Sequence, residues 1–71
     1  MKTAEEMKIL REDLEDLVSE FGSVLVVKML AQIQNEESRL QEGQDRILAN
    51  AHGDLGSRLL IAAEEFQKWT N

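Results

Sequence analysis

A chain of 71 residues without a cysteine builds a small core at most, and neither a disulfide nor a thiolate metal site braces it. Its net charge of −6 disfavours phosphate backbones and anionic bilayers as partners. One histidine is too few for the usual zinc or di-iron sites, so no cofactor is expected, and association with another chain is the remaining route to stability.

The N-terminal MKTAEEMK places Glu5 and Glu6 where the apolar part of a secretory signal would begin, so no signal is expected there. Thr3 followed by Glu6 reads as a capping box and starts a helix. Met7, Leu10, Leu14, Leu17 and Phe21 then recur at spacings of 3 and 4, one apolar stripe along a helix over residues 4–21. The other faces are acidic. Glu12, Asp13, Glu15 and Asp16 form a carboxylate face, while Lys8/Glu12 and Arg11/Glu15 fall at i,i+4 spacing. A straight helix offers too few oxygens for calcium, so this face reads as a solvated surface or as a surface for a basic partner. Gly22 and Ser23 read as a joint, a C-cap followed by an N-cap.

The next stretch, 21-FGSVLVVKML-30, is the most apolar of the chain. As a strand it lacks period-2 alternation and any other strand to pair with, and as a membrane span it is far shorter than the ~20 residues required. It is expected to be helical. Leu25, Val26, Met29, Leu30 and Ile33 make one face, continued by Leu40, Ile47, Leu48 and Ala51, which predicts a middle helix over 24–50 and an intrachain core on that face. Gly43, inside QEGQD, is where such a helix could break. Val24, Val27 and Ala31 project on the opposite side beside Lys28 and are the expected association face, with the Lys28 stem covering apolar surface at its rim.

The segment 52-HGDLGS-57, with two glycines and two candidate caps, reads as a turn. Leu55, Leu59, Ala62, Ala63, Phe66 and Trp69 follow as the stripe of a last helix over 55–70, with Phe66 and Trp69 as its core anchors. His52 and Asp54 are too few to hold a metal and read as solvated loop residues.

The expectation is therefore an all-α, three-helix domain, a helical hairpin plus a third helix in up-down-up order, completed by homodimerisation. No G-x-S-x-G elbow, phosphate loop or second histidine supports catalysis. A helix-turn-helix drawn around NEES would place Glu42 and Asp45 beside Arg39 and Arg46, which removes the basic footprint that DNA requires. Two functions fit. The first is a cytoplasmic, self-associating interaction or assembly module whose partners are itself and another protein, with neither nucleic acid nor membrane. The second is an acidic inhibitor, antitoxin-like or nucleic-acid-mimicking, that binds a basic partner through Glu12, Asp13, Glu15 and Asp16.

Overall fold

The computed structural model describes residues 3–70, which form three helices and no strand: α1 (Ala4–Phe21), α2 (Ser23–Gln41) and α3 (Arg46–Thr70). Thr3 has extended backbone and its Oγ1 accepts from Glu6 N at 3.2 Å, which satisfies one of the orphan donors of the first turn of α1. The helix ends at Gly22, whose φ of 86° and ψ of 154° lie where a side chain is strained. α2 follows immediately. Ser23 is its first residue rather than its cap, and no side chain caps this end.

The middle of the chain departs from the expected helix over 24–50. α2 stops at Gln41, whose carbonyl accepts from Gln44 N at 3.0 Å and from Asp45 N at 2.9 Å. Asp45 Oδ1 then accepts from Leu48 N at 3.0 Å and caps the start of α3. The segment QEGQD offers no apolar side chain to bury, so nothing offsets the ~1 kcal/mol helix cost of Gly43, and Asp45 satisfies the new N-terminus. Residues 46–50 thus belong to α3.

The expected turn at 52–57 is helical. Its glycines serve close packing instead. A Cβ on Gly56 would lie 2.6 Å from Asn35 Oδ1 and 3.1 Å from Ala31 O, and one on Gly53 would lie 3.2 Å from Ser38 Oγ. Together the two glycines cost about 2 kcal/mol of helix propensity relative to alanine, which the near approach of α2 must offset. Ala31, Ala49, Gly56 and Ala63 are the buried residues of this antiparallel hairpin. Polar contacts tie it along its length. Ser38 Oγ donates to Ala49 O at 2.7 Å near the turn, and Lys28 Nζ donates to Gln67 Oε1 at 3.4 Å toward the open end.

α1 stands apart from this hairpin. It touches α2 only sparsely, no Cα of it comes within 8 Å of α3, and none of its residues is buried. The molecule spreads over 37 × 35 × 14 Å, with a radius of gyration of 14.2 Å. A compact chain of this length would have about 11 Å. The three helices are present, α2 and α3 form a helical hairpin, and α1 is the helix left out.

Candidate functional site

The divergence of α1 from α2 opens a groove of about 410 Å³. Leu14, Leu17 and Phe21 line it from α1, and Leu25, Val26, Met29, Leu30 and Ile33 from α2. Spacings of 3 and 4 place each set on one side of its helix, and Gly22 turns the two sides toward one another without letting the helices close. Every lining residue except Val26 remains exposed, and the groove holds no charged group. Burial elsewhere is slight. The core consists of Ala31, Ala49 and Ala63, and among the described residues no large apolar side chain is buried.

The two faces of α2 are inverted relative to expectation. Val24, Val27 and Ala31, expected on an association face, pack against α3 of their own chain, where Ala31 is only 2% exposed. With Ser23, Ala62, Ala63 and Phe66, the two valines line a half-open groove of about 240 Å³ between α2 and α3. Lys28, half-buried beside them, is held by Gln67. The face with Leu25, Met29 and Ile33, expected to be the intrachain core, is the open one. The physical reason is the small residues of α3. Ala49, Gly56 and Ala63 recur every seven residues, and their flat surface lets a helix approach more closely than a leucine face permits. That heptad, together with the spacing of 3, 4 and 7 through Val24, Val27, Ala31 and Ser38, is the sequence signal that marks the true hairpin face.

Glu12, Asp13, Glu15 and Asp16 lie exposed on α1. Arg11 Nε donates to Glu15 Oε1 at 2.9 Å in a solvated pair of the kind that contributes about 0.3–0.5 kcal/mol. His52 and Asp54 lie within α3, not on a loop. His52 is half-buried and its Nδ1 is 2.6 Å from Gln34 Oε1, a bond in which the imidazole donates to the amide oxygen. Asp54 accepts from Arg58 Nε at 2.9 Å. Among the described residues no three His, Asp or Glu side chains gather where they could hold a metal ion. Trp69, expected as a core anchor, is 89% exposed in the last turn of α3. No helix among the described residues is long and apolar enough to cross a membrane.

What the arrangement can do chemically is bind apolar surface. No protein-family model, curated protein or solved structure matches the chain.

Proposed function

We propose that this chain is a small acidic helical interaction and assembly module that self-associates in the cytoplasm and has no catalytic activity of its own. The observation that supports the reading is the missing core. Stable domains bury the apolar sides of their elements between packed layers, and here the apolar side of α1 and the facing side of α2 have no layer above them. A groove of this kind takes another helix or pair of helices. Among the described residues no group of His, Asp or Glu that could hold a metal ion lies near it.

Sedimentation equilibrium of the purified chain tests the reading. The expected result is a species larger than the 8.1 kDa chain at micromolar concentration, whose helicity falls as dilution dissociates it. A stably folded monomer at high micromolar concentration would overturn it.

A second reading draws on the way α1 projects from the hairpin with Glu12, Asp13, Glu15 and Asp16 exposed. In that reading α1 is an acidic arm that inhibits a basic protein. Its mark is a captured partner of high isoelectric point whose affinity collapses between low and high salt.

A further inference from the structure

The open groove and the uncovered end of α1 are complementary. Met7 and Leu10 continue the apolar stripe beyond the groove, toward the N-terminus, and are 55% and 52% exposed. Neither lines the groove of its own chain, because α1 diverges from α2 before reaching them. One protomer therefore carries an apolar helix end without a groove and a groove without a helix. We propose that a second copy satisfies both, in a two-fold dimer where the α1 stripe of each protomer, through Met7, Leu10 and Leu14, enters the groove on the partner's α2. The proposal rests on the self-association reading and names its geometry.

Area argues for a second copy as the occupant. The chain exposes 6040 Å². A folded monomer of 8.1 kDa exposes about 4,500 Å² by the usual scaling of surface with mass, an excess of about 1,500 Å². Two chains burying that excess against each other would remove about 3,000 Å², within the range of obligate dimers and well above that of weak encounters. Two-fold symmetry suits the chemistry as well, since an isologous interface needs one patch that contains both halves of the complement, as this one does.

Charge argues for α1 on α2 rather than α1 on α1. Asp13 and Glu20 flank one edge of the α1 stripe, so antiparallel pairing of two α1 helices would set that acidic edge against itself. Such pairing would also leave the α2 face empty. The groove on α2 is lined by no charged side chain, so an acidic helix entering it meets like charge only at Glu36 and Glu37, beyond Ile33 on the same face, where Arg39 borders them.

The absence of cysteine makes the test direct. Chains of all 71 residues bearing Leu10→Cys and labelled with ¹⁵N are mixed with unlabelled chains bearing Leu25→Cys, Met29→Cys or Ile33→Cys and oxidised under native conditions. Mass spectrometry then assigns every covalent dimer to its parents, with native mass and circular dichroism measured on each variant. The expected result is a native mass twice that of the chain, with mixed Leu10/α2 disulfides exceeding Leu10/Leu10 disulfides at least fivefold for one or more α2 positions. A native dimer linked only through Leu10/Leu10, or not linked at all, overturns the proposed geometry while the self-association reading stands. A folded monomer overturns both. Where a cysteine variant loses its helicity, the remaining two α2 positions decide the outcome.

Discussion

Replacing Gly56 by alanine sets two effects of known sign against each other. Alanine gains about 1 kcal/mol of helix propensity over glycine in a helix interior. The new Cβ, however, would sit 2.6 Å from Asn35 Oδ1 and 3.1 Å from Ala31 O. The Asn35 side chain can rotate away, but the Ala31 carbonyl moves only if α2 moves, and overpacking of this kind costs about 1–3 kcal/mol. The balance is a net loss between about zero and 2 kcal/mol. Gly43→Ala is the matched control. Gly43 has negative φ and nothing within 4 Å of its would-be Cβ, so the same substitution should stabilise by about 0.4–1 kcal/mol. Urea unfolding followed by helical circular dichroism, at one fixed chain concentration so that association contributes equally, measures both. If Gly56→Ala stabilises as much as Gly43→Ala, the close approach of α2 and α3 at this point is wrong, and with it the assignment of the hairpin face.

Three further substitutions probe the joints and the groove. Asp45→Ala removes the acceptor for Leu48 N and should cost about 1 kcal/mol in the same urea assay, with the loss confined to the start of α3 in amide exchange. Gly22→Ala forces a side chain into backbone at φ 86° and should destabilise by about 1–3 kcal/mol, or reorient α1 as read by small-angle scattering. Ile33→Glu places a charge in the groove and should lower the native mass to that of one chain at concentrations where the parent is associated, whereas an unchanged mass would place the contact elsewhere.

The helical content and the limits of α1 were legible because they rest on local physics. Thr3 caps, the Met7 to Phe21 stripe keeps its period, and Gly22 takes a conformation that suits glycine alone. The two later boundaries turn on what surrounds each glycine. At 52–57 the value of glycine is tertiary rather than local. Gly53 and Gly56 give room to Ser38, Asn35 and the Ala31 carbonyl, an advantage visible only once α2 lies alongside. At Gly43 the local cost had no such offset and the helix broke. The candidate site suffered the same inversion. Apolar bulk alone does not decide burial here: Leu25, Met29 and Ile33 stay exposed, while Ala31 is buried and Val24 and Val27 are half-buried.

That inversion bears on what the chain is for. Helices that meet through alanine and glycine sit close and gain backbone proximity, but they cover little apolar area, so the hairpin of α2 and α3 leaves the large side chains unspent. A sequence selected for solitary stability would place Leu25, Met29 and Ile33 against α3 and the small residues outward. Here the small residues hold the hairpin together and the large ones line a groove on its outer side. Under the proposed self-association, the weaker, geometric interaction serves folding within the chain and the stronger, hydrophobic one serves association. Stability should accordingly rise with chain concentration, and a dilution series of thermal melts reads it directly. Midpoints that do not move over a hundredfold dilution would refute the division.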